Sequence, residues 1–235
     1  AATFTPTYTT KFGHYENEKF NSIISGRIWL GERFDLTTTQ NFNFNLPNVV
    51  GGSNVKTTVR VCARSNGASS NFTVNEGTTT HAVLSILPTS ADYGTTDYYG
   101  ANRTFNIPAS QVADGQLNMQ LTYSKPTTSS VGFLDYIEYE YQQSLNIANQ
   151  PYFAFEASDG VGPGEVFAYN FAGASAGYQV WDVSDYLNVQ TISSVVTGNN
   201  LSFNAAADSI KQFVAFTPSS FKRPVNPKPI PNQNL

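Results

Sequence analysis

Cys62 is the single thiol of this chain, and His14 and His81 are its two imidazoles. A thiol enzyme would need Cys62 as nucleophile and one of these histidines as base. Arg60 and Arg64 flank Cys62 on one strand face, and nearby guanidinium groups lower a thiol's pKa. Neither Cys62 nor either histidine lies in a nucleophile signature, so a small, partly buried strand residue is the preferred reading. Glu138 and Glu140 alternate onto one strand face about 7 Å apart, a spacing that invites comparison with paired glycosidase carboxylates. Two acids on an exposed strand face are more simply solvated. A histidine-based metal site would need both imidazoles and several acids. Calcium needs only oxygens, which Asp92 to Asp97 or Asp159 with Glu165 supply in part, without EF-hand spacing. Tyr93, Tyr98 and Tyr99 form the aromatic group best placed to stack on a sugar or peptide, because they fall in a loop where burial is not forced.

The elements that position these residues are strands. Thr57, Val59, Val61 and Ala63 alternate with Thr58, Arg60, Cys62 and Arg64, a period of two. Phe42, Phe44 and Leu46 alternate with asparagines. Leu117, Met119, Leu121 and Tyr123 alternate with Asn118, Gln120 and Thr122. Residues 131–141 place Phe133, Asp135, Ile137, Tyr139 and Tyr141 opposite Leu134, Tyr136, Glu138 and Glu140. Further strands are expected over 24–34, 70–75, 81–87, 103–107, 152–157, 165–170, 177–182, 189–196, 201–204 and 211–216. Gly51-Gly52, Asn66-Gly67, Glu76-Gly77, Asp114-Gly115, Asp159-Gly160 and Gly198-Asn199-Asn200 mark the turns. Only 108–113 and 205–209 suit a helical turn.

Composition agrees with this. Only 30 of 235 residues are charged, 13 basic and 17 acidic, well below the usual quarter or so. In their place stand 24 Thr, 22 Ser and 23 Asn, with 17 Phe and 13 Tyr. Such a chain is neither a helical bundle nor disordered. One cysteine excludes an internal disulfide and a Cys-rich zinc or iron–sulfur site. A net charge of −4 argues against nucleic acid as a partner, and no apolar run approaches the roughly 20 residues of a membrane helix. No signal peptide is legible at Ala1. The fold class expected is all-β: a jelly-roll-like β-sandwich over 1–147, a smaller Ig-like β domain over 148–218, and an extended Pro-rich segment over 219–235.

Two strings stand out as architecture. In Ser25-Gly26-Arg27-Ile28-Trp29-Leu30-Gly31-Glu32-Arg33-Phe34, two glycines bracket an aromatic strand. In Val180-Trp181-Asp182-Val183-Ser184-Asp185, an apolar strand gives way to an Asp/Ser turn in which Asp182 or Ser184 bonds the local backbone. With Glu16–Asn21, Gly132–Glu138 and Pro231-Asn232-Gln233-Asn234-Leu235, and in that order, these strings resemble the region ahead of the peptidase domain in type IX secretion system sortases, the PorU-like, gingipain-related cysteine peptidases of Bacteroidetes. The likeness runs roughly from residue 14 to the end.

The resemblance implies an exported protein at the outer membrane or cell surface. Its full-length parent would remove C-terminal sorting domains from secreted cargo and attach the cargo to lipopolysaccharide. The family's catalytic Cys and His lie downstream of the Asn-Gln-Asn-Leu segment, so none maps onto a residue here, and Cys62 does not take that role. The partners implied are the chain's own downstream peptidase domain, secreted cargo and outer-membrane secretion components. No cofactor is expected beyond a structural calcium. Gly26, Arg27, Trp29, Gly31, Glu32, Asp135, Trp181 and Asp182 are expected to be structural, and Tyr93, Tyr98 and Tyr99 to bind. Two rival readings remain. A carbohydrate-binding β-sandwich module fits the exposed aromatics and calcium-capable loops. A surface adhesin fits the Thr/Ser/Asn richness.

Overall fold

The structure is a computed structural model, described here for residues 1–21, 29–91, 98–112 and 114–229. It is all-β, and the chain divides into two compact units: Thr10–Ser144, and Ala1–Thr9 together with the chain from Leu145 onward.

The first unit is built from β1 (Tyr8–Glu16, whose first two residues belong to the other unit), β2 (Arg33–Phe34), β3 (Thr39–Asn45), β4 (Asn54–Arg64), β5 (Ser70–Glu76), β6 (Thr79–Ile86), β7 (Tyr99–Pro108), β8 (Gln116–Ser124) and β9 (Val131–Ser144). One sheet has the order β1-β9-β4-β7, with β2 also beside β9, and the other has the order β3-β8-β5-β6. The chain is thus a set of nested hairpins. β5 pairs with β6, β4 with β7, β3 with β8, and β9 closes on β1 and β2. Successive pairs fall in alternate sheets, which is the jelly roll. Turn residues carry the reversals: Gly52, Gly67, Gly77 and Gly115 all have φ between 55 and 77°, a region that costs glycine little.

Both sheets turn their apolar alternates to one core. It includes Phe34, Phe72, Val59, Ile107, Leu117, Leu121, Tyr123, Leu134 and Ile137. Phe34 meets Phe72 edge-on at 5.0 Å between ring centroids, and Phe72 meets Tyr123 at 4.8 Å. Gly132 of β9 makes room for this trio. A Cβ there would sit 2.6 Å from Phe72 Cζ and 2.9 Å from Tyr123 Cδ2.

The second unit has β10 (Tyr152–Glu156), β11 (Val166–Ala172), β12 (Gln179–Asp182), β13 (Gln190–Ile192), β14 (Val195–Thr197), β15 (Asn200–Ala206) and β16 (Gln212–Phe216). Sheets of order β10-β16-β12-β13 and β11-β15-β14 enclose a core dominated by aromatic rings, an Ig-like sandwich. Phe155 lies at its centre, 4.7 Å from Phe171 and 5.4 Å from both Tyr169 and Phe213. Phe4 from the N-terminal segment bridges to Phe167. Residues 221–229 carry no helix or strand, although Phe221 packs against Trp181 and Phe216.

Sequence and structure differ in five places. Of the strand expected over 24–34, residues 24–28 lie outside the described residues and only Arg33–Phe34 is strand among the rest, Leu30 making a single bridge to Phe20. β1 was not among the expected strands. Residues 189–196 form two short strands rather than one. The stretch 205–209 begins as the end of β15 instead of a helical turn. The simple alternation over 131–141 breaks at Asp135: Arg60 pairs with Tyr136 but Val61 pairs with Leu134. Asp135 is therefore the extra residue of a β-bulge. Leu134 joins Ile137 on the core side, and Phe133 is sent to the outer face.

Two substitutions test the packing. Gly132→Ala forces a methyl into filled space and is expected to cost about 1–3 kcal/mol. Phe155→Ala removes the hub of the second core and is expected to cost about 3–5 kcal/mol. Urea unfolding of each variant against the parent measures both, and an unshifted midpoint for either contradicts the packing described.

Candidate functional site

Burying one face of β1, β9, β4 and β7 frees the other face for polar chemistry. The register sets Lys56 opposite Glu140, Thr58 opposite Glu138 and Arg60 opposite Tyr136. On the far side of β4, Thr58 lies opposite Thr104 of β7, and their hydroxyls are 2.9 Å apart. β1 adds Phe12, His14 and Glu16. The result is an open groove of about 420 Å³ lined by Phe12, Gly13, His14, Lys56, Thr58, Glu138, Tyr139 and Glu140.

Its charged groups are paired, with three carboxylates, of Glu16, Glu138 and Glu140, meeting one ammonium, Lys56, and one imidazole, His14. His14 Nδ1 lies 3.2 Å from Glu138 Oε1, and Nε2 lies 3.0 Å from Glu16 Oε2. Lys56 Nζ is 3.5 Å from Glu140 Oε2. The His14 ring also packs against Tyr136, with centroids 5.7 Å apart. The Glu16 hydrogen bond, reinforced by Glu138 and opposed by partial burial, raises the pKa of His14 above its ordinary 6.5. At the end of this face Arg60 Nε donates to Asp135 Oδ2 at 2.9 Å. Burial nevertheless keeps the Asp135 carboxyl above the usual carboxylate range.

Beyond the bulge the same outer face is covered. Leu30, Cys62, Val131 and Phe133 form a small apolar cluster, with Tyr98 packed against it. Cys62 is buried there, and burial, with Asp135 adding to it and Arg60 opposing, pushes its thiol up to about 11. The flanking arginines therefore do not activate it. His81 stacks on Phe105, with centroids 5.8 Å apart.

The residues singled out in the sequence are dispersed. Tyr98 meets Phe133 edge-on at 5.5 Å and lines a cavity of about 630 Å³ with Lys19, Phe20, Arg33 and Arg64. Tyr99 faces a different hollow, beside Asn66, Pro88 and Thr89. Tyr93, Gly26, Arg27, Asp92 and Asp97 lie outside the described residues, as does the Asn-Gln-Asn-Leu segment. Trp29 is exposed. Gly31 is tightly enclosed: a Cβ would lie 2.9 Å from the Asn17 carbonyl oxygen. Glu32 accepts hydrogen bonds from the Tyr15 hydroxyl and Asn17 Nδ2, both at 2.7 Å. Trp181 packs edge-on against Phe216 at 4.7 Å. Asp182 accepts from the Ser184 backbone N–H at 3.0 Å and its hydroxyl at 2.6 Å. Asp159 accepts a hydrogen bond from Tyr8. Among the described residues, no three His, Cys, Asp or Glu side chains converge as metal ligands would, and no helix is long and apolar enough to cross a membrane. Of the groove residues, Glu138 and Glu140 were legible as a face. Phe12 and Lys56 were not, nor was the bonding of His14 to Glu138.

No family model matches this chain, and no curated protein does. Among solved structures it is similar to dimeric latent PorU from Porphyromonas gingivalis, with a TM-score of 0.73 and 18% identity over 94% of this chain. The chain spans 21% of the length of that PorU chain. At this identity the likeness establishes a shared fold: this chain folds as a PorU-like region does. It is also similar to the CBM36-1 domain of a multidomain xylanase from the hindgut metagenome of Trinervitermes trinervoides (TM-score 0.35, 12% identity, 55% of this chain and 95% of that one). A carbohydrate-binding module CBM36 in complex with calcium and xylotriose gives a TM-score of 0.31 at 14% identity, over 55% of this chain and 98% of that one.

Two titrations follow from the site. A histidine raised in the folded state contributes stability fully below its unfolded value, and that contribution is lost as pH rises through the folded value. The first unit is therefore expected to lose a small increment of stability as pH rises from 6.5 through the higher His14 midpoint. In Glu16→Gln the midpoint falls back toward 6.5, as an NMR titration of the imidazole would record; an unmoved midpoint contradicts the assignment. The Cys62 thiol is expected to react far more slowly with iodoacetamide at pH 8 in the folded chain than in urea. Equal rates contradict its burial.

Proposed function

We propose that this chain is a non-catalytic scaffold and recognition region of a type IX secretion sortase. The parent protein would cleave C-terminal sorting domains from secreted cargo and join the cargo to surface lipopolysaccharide. The observation that carries the reading is the likeness to PorU: it runs through 94% of this chain yet occupies 21% of that one. Both β units then stand together as one part of a longer, multidomain protein. The motif order from Glu16 to Leu235 supports the same assignment.

Cys62 supports the non-catalytic half of the proposal. A nucleophilic thiol needs its thiolate near neutral pH and a base within reach. Cys62 is buried with its thiol at about 11, and the imidazole of His14 is bonded to two glutamates instead. In this reading the sandwich positions a peptidase domain relative to outer-membrane secretion components, or holds part of the cargo. The parent acts at the cell surface, and the low charge and Thr/Ser/Asn richness agree with an exported β-protein.

The purified chain is expected to leave peptide substrates and cargo sorting domains uncleaved. Turnover that vanishes in Cys62→Ser overturns the proposal. The reading frame after Leu235 gives an independent test. An α/β stretch bearing a His and a Cys nucleophile is expected there, whereas an immediate stop codon removes the sortase assignment.

A further inference from the structure

Beyond the Asp135 bulge, the register gathers cations around an apolar floor. Arg33 of β2 stands opposite Phe133 of β9, and Arg64 of β4 stands opposite Val131, two residues earlier on the same strand. Side chains directly opposite one another on paired strands share a face. Both guanidinium groups therefore rise from the outer face that carries Phe133 and Val131. Neighbouring strands lie about 4.8 Å apart, which sets the two arginines roughly 10 Å apart across β9. The backbone N–H groups of Lys19 and Phe20 both donate to the Leu30 carbonyl, and this bridge brings a third cation and an aromatic ring to the same place. The cavity they line holds about 630 Å³, within the range of about 300–1,000 Å³ typical of small-molecule sites.

The charge of this cavity is of one sign. Lys19, Arg33 and Arg64 line it, and no acidic side chain does among the described residues. Arg64 makes no ion pair or side-chain hydrogen bond among the described residues. Arg33 gives only Nη2 to Asp35, at 2.6 Å, and Lys19 Nζ is 3.7 Å from Glu32, beyond hydrogen-bond reach. Lys125 also pairs with Asp35, so these two carboxylates answer four cations. A cleft with an excess of one sign and low-dielectric walls concentrates ions of the other sign. The walls here are aromatic. Phe133 meets Phe20 at 5.6 Å and Tyr98 edge-on at 5.5 Å, and Phe20 is 39% exposed. A bare inorganic anion would leave these rings in water. A nucleic acid would need a basic face broader than one cavity. A compact molecule with an anionic head and an apolar body uses both halves of the lining. Guanidinium forks accept carboxylate and phosphate alike.

We infer that this cavity binds small organic anions, with Arg64, Arg33 and Lys19 holding a carboxylate or phosphate head and Phe20, Phe133 and Tyr98 holding an aromatic or other apolar body. The site is separate from the groove of β1, and the inference does not rest on the sortase reading.

NMR titration of the whole chain with N-acetylphenylalanine and with phenyl phosphate tests it. At least one of them is expected to shift the amide signals of Phe20, Arg64 and Phe133 saturably, with an affinity that falls as NaCl is added. The tighter of the two identifies the head group. Arg64→Gln is expected to weaken that binding about tenfold, as loss of an arginine anchor does. Phe20→Ala weakens it as well, and Lys222→Gln, in the other unit, leaves it unchanged. Arg64 and Phe20 both reach solvent, so a retained amide spectrum in each variant separates loss of binding from loss of fold. Three results overturn the inference: no saturable shift with either anion up to its solubility, shifts confined to residues outside the cavity, or binding of the neutral N-acetylphenylalanine amide or the cationic phenethylamine as tight as that of the anions.

Discussion

The pairing of β4 with β9 is the interaction on which the first unit depends. It runs from Lys56 opposite Glu140 to Arg64 opposite Val131 and lies at the centre of its sheet. Every property of the outer face follows from its register and from the one residue that breaks it. If β9 lacked the bulge at Asp135, Phe133 would point into the core and Leu134 outward. With the bulge, Phe133 covers Cys62 while Leu134 completes the interior. The same insertion delivers the Asp135 carboxylate to Arg60. One face thus acquires two regions, an apolar cover over the thiol and an open polar groove.

This division explains which features were legible in the sequence. Period-two alternation is a local signal, so β3, β4, β5 and β8 could be read directly, and the jelly-roll class followed from many such strands and their turn residues. β1 escaped because its apolar residues fall on both faces: Phe12 projects outward, Tyr15 packs on the core, and Gly13 between them offers no side chain. Only the fold supplies the reason for that glycine, since the Tyr139 phenol takes its space. Glu138 and Glu140 were readable as neighbours on one face. Their partners were not, because His14 reaches Glu138 across 124 residues and Lys56 reaches Glu140 from another strand. The two described tyrosines of that group, Tyr98 and Tyr99, line different hollows. Tyr98 immediately precedes β7, which Tyr99 opens, so adjacency in sequence did not bring their rings to one place.

Scarce charge has a structural counterpart in the other sheet. On the outer face of β3 and β8, Thr39 bonds Thr122 at 3.1 Å, Gln120 donates to Asn41 at 3.1 Å, and Gln116 donates to Asn45 at 3.1 Å. Cross-strand polar pairs of this sort contribute about 0.2–1 kcal/mol each. They hold the sheet without ions, which is what the abundance of Thr, Ser and Asn provides. Alternation alone assigns such residues to a polar face. The register shows that three of these cross-strand pairs, Thr39 with Thr122, Asn41 with Gln120 and Asn45 with Gln116, bond one another as a ladder.

The contrast between the two outer faces carries the last step. On β3 and β8 the amides and hydroxyls satisfy one another across the strands, so a ligand would have to break those bonds to gain its own. On β1, β9 and β4 the ion pairs hold one oxygen of each glutamate and leave the second available. Ion pairs at such exposed positions add little to stability. Their effect is instead to fix the orientation of the carboxylates. A chain with few charges thus gathers several of them on one sheet face, where pairing across β1, β9 and β4 orients them more than it stabilises the fold.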